Sequence, residues 1–272
     1  MSVLVLSQKK SRLVRELNTI ITVMAREITV YFKSPATVIM SLVMPIIMMG
    51  MIGGNLMQNM AGGVGFALGQ FMLVGMLVNM LFWITTMGIT SLVDDHDIDF
   101  TQEMLVSPVS RYSLIIGKIL GSGFAAILSM AGTLIVGLVM GITLPVSKFI
   151  LILGLSPLIC LSGGALAMII IGLIKNKKAA TLAVMLIIMP QMFLSGAIIP
   201  INHSSGALLV LNRIMPMTYC LDLVRAVVYR GNPEYDSVVM FNPLVNFGAI
   251  ILLTIVCLIL GTYFFARSEK NR

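Results

Sequence analysis

The hydrophobic positions of this chain are grouped into six long runs separated by short polar segments. The runs occupy residues 34–55, 66–92, 111–141, 149–174, 179–200 and 243–266. A helix that crosses a bilayer needs about 20 mostly apolar residues, and every run reaches that length. The pattern therefore predicts an all-α membrane protein with six transmembrane helices in a single domain, residues 1–272.

A shorter periodicity precedes the first run, over residues 1–33. Apolar side chains recur there at steps of three and four, which marks one face of a helix; they are Leu13, Leu17, Ile20, Met24, Ile28 and Tyr31. Arg12, Arg15 and Arg26 lie off this stripe. A cationic helix with such a stripe binds in the headgroup plane of a membrane. We predict a cytoplasmic interfacial helix, which is either a topology anchor or a lever that contacts a partner.

The longest connection, residues 198–242, follows the fifth run and is predicted to be external. It contains apolar residues that fit one helix face, namely Leu221, Val224, Val227 and Val228. Asp222 and Arg225 have the spacing of an i,i+3 pair on that helix. We predict an amphipathic, re-entrant helical hairpin between helices five and six. Two roles are open for it, a lid over an exit path or a stiffener of the loop.

The basic residues decide the orientation, because Lys and Arg are enriched in cytoplasmic loops. Of the 18 Lys and Arg residues, fourteen lie on the side of the N-terminus in the six-helix arrangement and four on the other side. Both termini are therefore predicted to be cytoplasmic, in a multi-pass protein of the cell membrane.

Composition excludes most soluble classes of protein. Apolar residues make up 58% of the chain and charged residues 11%, against about 25% charged in a typical soluble domain. The net charge of +7 does not indicate nucleic-acid binding, since a nucleic-acid-binding protein clusters its basic residues on a polar face. Here they flank apolar runs, as topology signals do.

Catalytic and nucleotide-binding motifs are missing from the sequence. The only Gly-Lys dipeptide, Gly117-Lys118, lacks the upstream glycine of a phosphate-binding loop. His96 and His203 fall on opposite sides of the predicted membrane, and the three cysteines lack metal-ligand spacing. We therefore predict no catalytic residue, no metal site and no cofactor in this chain.

Two polar side chains lie deep in the predicted spans, Asn79 and Gln191. The simpler role for each is an interhelical hydrogen bond, and the alternative is contact with a transported cargo. Together with Met192 and Phe193, they are the candidate cargo path. The spans contain almost no ionisable residues of the kind that carry protons, so energy is predicted to come from another polypeptide.

The loop between the second and third runs is acidic, with Asp94, Asp95, Asp97, Asp99 and Glu103. If the loop is helical, Asp95, Asp99 and Glu103 stack on one face, where each like-charged pair costs about 0.2–0.5 kcal/mol. Such repulsion is best explained by a basic partner surface that binds the loop, although a solvated turn is the simpler alternative. The glycine pair Gly117/Gly121, on the run that follows, is predicted to pack helices closely, within the chain or between two copies.

Two motifs of this chain resemble those of the ABC-2 type permeases, and among these the daunorubicin-resistance branch. The first is Asp95-x-Asp97-x-Asp99-Phe100-x-x-Glu103-Met104-Leu105-Val106-Ser107-Pro108-Val109-Ser110-Arg111, followed by Gly117-Lys118. The second is Phe193-Leu194-Ser195-Gly196-Ala197-Ile198-Ile199-Pro200, followed by Pro216-Met217-Thr218-Tyr219 and Leu221-Asp222-Leu223-Val224-Arg225. The chain departs from the family pattern at His96, Asp99 and Met215, where arginine, glycine and asparagine are usual.

The resemblance implies an assembly larger than this chain. Two copies of the permease would form the pathway, above two copies of an ATP-binding-cassette ATPase that holds ATP and Mg. Residues 94–106 would be the coupling helix, with Asp94, Phe100, Met104 and Arg111 among its contacts, and the N-terminal helix would brace the same interface. Drugs, lipids and natural products are the cargoes of the family.

The leading hypothesis is thus the permease subunit of an exporter for a hydrophobic or amphiphilic cargo, in contact with membrane lipids. The cavity would be lined by spans one, two and five, which carry many of the 23 methionines. One alternative is an exporter of polysaccharides or lipid-linked glycans, for which the aromatic content of 7% is low. Alternatives of other classes are a membrane-embedded lipid-modifying enzyme and a non-transporting sensor or immunity subunit.

Overall fold

Long apolar runs form helices here because a helix satisfies its own backbone hydrogen bonds where no water is present. The computed structural model describes residues 2–60, 66–96, 110–174, 176–201 and 206–270, and these contain helices and no strand. The helices are α1 (Ser2–Lys33), α2 (Pro35–Ile47), a π-helical segment (Met48–Gly53), α3 (Gly54–Met60), α4 (Leu68–His96), α5 (Arg111–Val139), α6 (Val146–Leu173), α7 (Lys177–Leu194), α8 (Ala207–Ile214), α9 (Pro216–Val228), α10 (Tyr235–Val238) and α11 (Pro243–Lys270).

The described residues contain five segments that are long and apolar enough to cross a membrane. They are Pro35–Leu56, Leu68–Ser91, Tyr112–Val139, Val146–Leu173 and Tyr235–Phe265. A sixth is counted if α8 and α9 form one broken span, although the two helices meet at an angle of 81°. The prediction of a membrane-embedded helical chain is confirmed.

The predicted fifth span is shorter than its apolar run. The run extends to residue 200, but α7 has 18 residues and ends at Leu194, which gives a length of about 27 Å. The helix stops because Gly196 adopts a φ of +83°, a conformation that glycine reaches without steric cost. The apolar residues beyond Gly196 belong to a turn instead.

The first span changes its helical type after Pro45. Proline has no backbone N–H and clashes with the preceding turn, and α2 gives way to the π-helical segment three residues after Pro45. π-Helical turns are uncommon in proteins and recur at functional sites. The irregularity that follows Pro45 therefore takes the form of a π-helical segment.

Helix α4 is the centre of the bundle and contacts α5, α6, α7 and α9. In the most apolar stretch of α4, 78% of the residues are buried, whereas the corresponding share in the first span is 17%. Phe71, Leu77 and Phe82 on α4 are completely buried. The outer helices expose large apolar side chains, for example Ile39 on α2 and Leu252 on α11, as expected where lipid is the solvent.

Glycines allow the helices to approach each other closely. A Cβ atom at Gly163 of α6 would lie 2.9 Å from the carbonyl oxygen of Phe82 on α4. Gly172 of α6 and Gly261 of α11 abut the backbone of each other's helix in the same way. The small-residue positions of these spans are therefore used for packing within the chain.

Candidate functional site

A cavity of about 560 Å³ lies among α1, α2, α4, α5 and α7. Seven methionines face it, namely Met40, Met44, Met48, Met80, Met87, Met189 and Met192. Trp83 and Ile84 of α4 complete its apolar wall. A pocket of roughly 300–1,000 Å³ suits a small molecule, and flexible methionine side chains adapt to apolar ligands of different shape. The cavity is therefore suited to an apolar or amphiphilic ligand.

One end of the cavity is polar. Glu27, Tyr31 and Ser34 contribute from the last turns of α1 and the break that follows it, and Thr37 and Ser41 from the start of α2. The Tyr31 and Ser41 hydroxyls are hydrogen-bonded to each other, and the Ser34 hydroxyl lies 2.7 Å from that of Thr37. The junction of α1 and α2 thus supplies a row of oxygens beside the methionines.

Helix α1 is docked along the first half of α5. The Glu16 carboxylate accepts the backbone N–H of Ser110 at 3.1 Å, and the rings of Phe32 and Phe124 lie 6.1 Å apart. These two contacts join the middle and end of α1 to the beginning and middle of α5. The two helices therefore run side by side in the same direction.

The predicted glycine pair lies inside this α1–α5 contact. Cβ atoms at Gly117 and Gly121 would lie 2.9 Å from the Ile20 carbonyl oxygen and 2.5 Å from Glu27 Cβ, respectively. Only glycine, which has no Cβ atom, allows α1 to approach α5 this closely. Of the two alternatives for the pair, the structure therefore favours packing within the chain.

A charged cluster joins α1 to α5 at the polar end of the cavity. Glu27 lies 3.5 Å from the Lys118 ammonium group and 3.0 Å from the Arg26 guanidinium group. The Lys118 side chain is only 3% exposed, and a buried cation of this kind requires a nearby carboxylate. Glu27 therefore stabilises the α1–α5 contact and forms part of the cavity wall.

The predicted amphipathic stripe of α1 has two halves. Leu13 and Leu17 are exposed, Ile20, Met24 and Ile28 are partly buried, and Tyr31 is buried. Arg15 is exposed and Arg26 is partly buried, and the side chain of Arg12 is outside the described part. The second half of the helix therefore packs against the bundle, and the described apolar residues Leu13 and Leu17 before it remain uncovered.

The structure brings two of the four predicted cargo residues to the cavity. Asn79 and Met192 line it, whereas Phe193 is 46% exposed on the outer face of α7. Gln191 is buried, and neither polar atom of its carboxamide has a hydrogen-bond partner among the described residues. The Asn79 amide donates only a long contact of 3.9 Å to Met217 Sδ.

Most of the predicted coupling residues are outside the described part of the chain. These are Asp97, Asp99, Phe100, Glu103 and Met104. Asp94 and Asp95 lie in the last turn of α4, and Arg111 is the first residue of α5, after the N-cap Ser110. The side chains of these three are not described either. The acidic loop thus connects the ends of two helices that form the cavity wall.

The predicted outer hairpin consists of α8, α9 and the turns beside them. Pro216 is the first residue of α9, and the Tyr219 hydroxyl donates to the Arg213 carbonyl oxygen at 2.6 Å. Ser195 is buried at the end of α7, and Pro200 is half-buried in the turn beyond it. A Cβ atom at Gly75 of α4 would lie 1.9 Å from the Ala197 carbonyl oxygen. The turn after α7 therefore rests directly on α4.

Asp222 and Arg225 of α9 make their hydrogen bonds to other elements. The Asp222 carboxylate accepts the N–H groups of Met240 and Phe241 and the Asn246 amide, each at 2.8 Å. Arg225 donates to the Gly196 carbonyl oxygen at 2.8 Å, and its guanidinium carbon lies 3.5 Å from the centroid of the Phe71 ring. This cation–π contact adds to the hydrogen bond. The predicted i,i+3 pair thus fastens α9 to α4, to the turn after α7 and to the start of α11.

Two further contacts of this region were not predicted from the sequence. Lys148, at the start of α6, donates to the carbonyl oxygens of Val228 at 2.5 Å and Arg230 at 3.2 Å. A cation there stabilises the C-terminal end of α9. The Glu234 carboxylate accepts the N–H of Ala67 at 3.0 Å. One feature of the sequence pointed to these contacts. Lys148 is an isolated lysine on the side of the predicted membrane that has few basic residues.

Comparison with known proteins identifies relatives over most of the chain. The sequence profile of the family described as ABC-2 type transporter matches residues 18–229. Nodulation protein J of Rhizobium meliloti (strain 1021) is 28% identical over 135 residues, 48% of this chain and half of that protein's length. Nodulation protein J of Neorhizobium galegae is 25% identical over 75% of this chain and 78% of that protein. The putative transport permease ycf38 of Cyanophora paradoxa is 21% identical over 74% of this chain and 71% of that protein.

Proposed function

The chain belongs to the ABC-2 type transporter family, and from this we propose that it is the permease subunit of an ATP-driven exporter. Membership makes it a membrane transport subunit rather than an enzyme, which removes the lipid-modifying alternative. The proposed cargo is hydrophobic or amphiphilic. The methionine-lined cavity of about 560 Å³ is the single observation that carries this cargo class, because its wall is mostly thioether and aliphatic.

The proposed energy source is an ATPase subunit that binds ATP and Mg, two copies of it beneath two copies of this chain. The proposed contact is the coupling helix of residues 94–106. Its position supports the proposal, since the loop joins the end of α4 to the start of α5. Ser91 of α4 and Ser122 of α5 both line the cavity. A force on the loop would therefore reach both walls through rigid helices.

We place both termini and the acidic loop on the cytoplasmic side of the cell membrane. In this arrangement the exposed residues Leu13 and Leu17 of α1 lie at the cytoplasmic interface, and the half docked on α5 braces the coupling region. The hairpin of α8 and α9 lies in the outer leaflet. Its ties to α4, α6, α7 and α11 favour the role of a stiffener over that of a lid.

A glycan exporter remains the alternative with the same fold. A long glycan requires a pathway lined by polar and aromatic side chains, and the wall of this cavity contains two aromatic residues, Tyr31 and Trp83. Methionine and aliphatic side chains outnumber them. The cavity therefore favours a cargo with a substantial apolar part.

The experiment that tests this function is transport by the permease reconstituted with its ATPase in vesicles. We expect ATP-dependent movement of a fluorescent amphiphile, and loss of at least about 90% of it when Asp95, Asp99 and Glu103 are all changed to Lys. Three reversed charges would repel a basic ATPase surface, because like charges at an interface cost several kcal/mol.

The matched control is Asp236→Lys, since Asp236 is an exposed acid on the opposite side of the proposed topology. It should transport at the normal rate and retain the ATPase during purification. Normal transport by the triple variant would refute the coupling assignment, and transport by the permease alone would refute the proposed function.

A further inference from the structure

The two ends of the cavity differ in chemistry. Along α4 the cavity extends from Ser91 to Asn79, twelve residues or about 18 Å. Helix α2 passes α4 in the opposite direction, because Gly53, beyond its end, lies beside Met72 near the start of α4. Ser34 and Ser41 are therefore at the Ser91 end. The methionines Met48, Met80 and Met192 belong to the other end.

The polar end presents mainly acceptor oxygens, and the hydrogen-bonded hydroxyls of Ser34 and Thr37 retain one donor proton between them. The hydroxyls of Ser41, Ser91 and Ser122 donate to backbone carbonyl oxygens of their own helices, at 2.8 Å, 2.7 Å and 3.0 Å. A hydroxyl that has donated its proton keeps only lone pairs for a ligand. The Glu27 carboxylate is likewise an acceptor. A ligand group that meets the Ser41, Ser91 and Ser122 oxygens must therefore donate hydrogen bonds.

The charge of this end argues against a charged ligand. The described residues that line the cavity include no lysine or arginine, so an anionic head would lose its hydration without direct contact with a cation, since Arg26 and Lys118 lie behind the wall and pair with Glu27. An ammonium head would approach Glu27, but Lys118 and Arg26 already lie within 3.5 Å of that carboxylate. A third positive charge would be repelled by these two. An uncharged head that donates hydrogen bonds avoids both costs.

We propose that the cavity binds an amphiphile with an uncharged, hydroxyl-bearing head at the Glu27–Tyr31–Ser41 end and its apolar chain along the methionines. This assignment rests on the proposed function as a permease and names the cargo chemistry of the same site. It fixes the orientation of the ligand, with the head near the start of α5 and the chain extending past Trp83. Tyr31 and Ser41 are head-group contacts, and Glu27 accepts from the same hydroxyls.

Trp83 provides the test, because it is the only tryptophan of the chain and it lines the cavity. The full-length protein in phosphatidylcholine nanodiscs is titrated with three probes that share one twelve-carbon chain brominated at its middle. Their heads are a glucoside, a sulfate and a primary ammonium. Bromine quenches tryptophan on contact, so quenching of Trp83 measures occupancy of the cavity. We expect the glucoside to bind at least about tenfold more tightly than either charged probe.

Tyr31→Phe removes one hydroxyl and retains the ring. One lost hydrogen bond should weaken glucoside binding about two- to tenfold and leave the two charged probes within twofold of their original affinity. Ser122→Ala is the second variant, on a different helix, with the same expectation. Tyr263→Phe is the control, since Tyr263 is an exposed tyrosine of α11 outside the cavity, and it should change nothing.

Three results would overturn the assignment. Equal quenching by all three heads would refute the head-group selectivity while leaving an amphiphile permease intact. Tighter binding of the sulfate or ammonium probe would replace the proposed chemistry with that of the tighter ligand. Absence of quenching by all of them would show that the cavity is not the binding site, whereas the proposed function is decided separately by ATP-dependent transport.

Discussion

A few buried polar side chains fasten α8 and α9 to the bundle, and Asp222 has the largest number of partners among them. Its carboxylate accepts three hydrogen bonds at 2.8 Å from Met240, Phe241 and Asn246. Removing it leaves one buried and two partly buried donors without an acceptor, and a fully buried donor without a partner costs about 1–3 kcal/mol. We therefore expect Asp222→Ala to lower the free energy of unfolding by about 2–4 kcal/mol, measured by chemical denaturation in detergent.

Asp236→Ala is the matched control for this prediction. Asp236 is an exposed acid in the first turn of α10, and an exposed charge at a helix N-terminus contributes about 0.3–1 kcal/mol. Its loss should therefore cost less than about 1 kcal/mol. Equal destabilisation by the two variants would contradict the role assigned to the Asp222 carboxylate.

The sequence identified Asp222 and Arg225 as important, but it did not identify their partners. Their i,i+3 spacing on a helix face was visible, and it suggested a pair. The acceptor of Arg225 is Gly196 and its aromatic neighbour is Phe71, residues that are distant along the chain. Local spacing contains no information about which distant backbone group a turn brings near, so these ties became visible only in the fold.

At the scale of elements, the most consequential contact is that of α1 with α5. A Cβ atom at Gly121 would lie 2.5 Å from Glu27 Cβ, and overpacking of this kind costs about 1–3 kcal/mol. We expect Gly121→Ala to loosen α1, since the helix must move away from α5. Hydrogen exchange at the α1 amides should become faster, because local opening sets its rate.

Gly154→Ala in α6 is the control, since no atom lies within 4 Å of the added Cβ. Alanine in a helix is about 1 kcal/mol more favourable than glycine, so this variant should be as stable as the original or slightly more stable. Its α1 amides should exchange at the original rate. Unchanged exchange in Gly121→Ala as well would mean that α1 does not depend on this contact.

Helices were predictable from the sequence, but their ends and irregularities were not. A bilayer requires about 20 apolar residues per crossing, which is why α4, α5, α6 and α11 fall on predicted runs. A turn made of apolar residues cannot be told from a helix by hydrophobicity. The apolar run extends to residue 200, and the end of α7 at Leu194 was therefore not predicted. Pro45 signalled a disturbance, but its form as a π-helical segment depends on how α2 packs.

For the molecule as a whole, the sequence indicated some of the helices that line the cavity, but not those that complete its wall. Spans one, two and five were expected there, and α2, α4 and α7 do contribute, with Asn79 and Met192 on the wall. The contributions of α1 and α5 were not foreseen. They depend on the docking of α1 along α5, whereas the amphipathic stripe had predicted an interfacial helix that is either a topology anchor or a lever contacting a partner.

The orientation of the whole molecule can be tested by labelling single cysteines in intact cells. Cys160, Cys220 and Cys257 are first replaced by alanine, and one cysteine is introduced either at exposed Asn232, between α9 and α10, or at Lys270, the last residue of α11. Because fourteen of the 18 basic residues lie on one side of the predicted arrangement, that side should be cytoplasmic. A membrane-impermeant maleimide should therefore label the cysteine at 232 and reach the one at 270 only after permeabilisation. The reverse pattern would place the acidic loop outside the cell, where no cytoplasmic ATPase can bind it, and the proposed coupling would then be excluded.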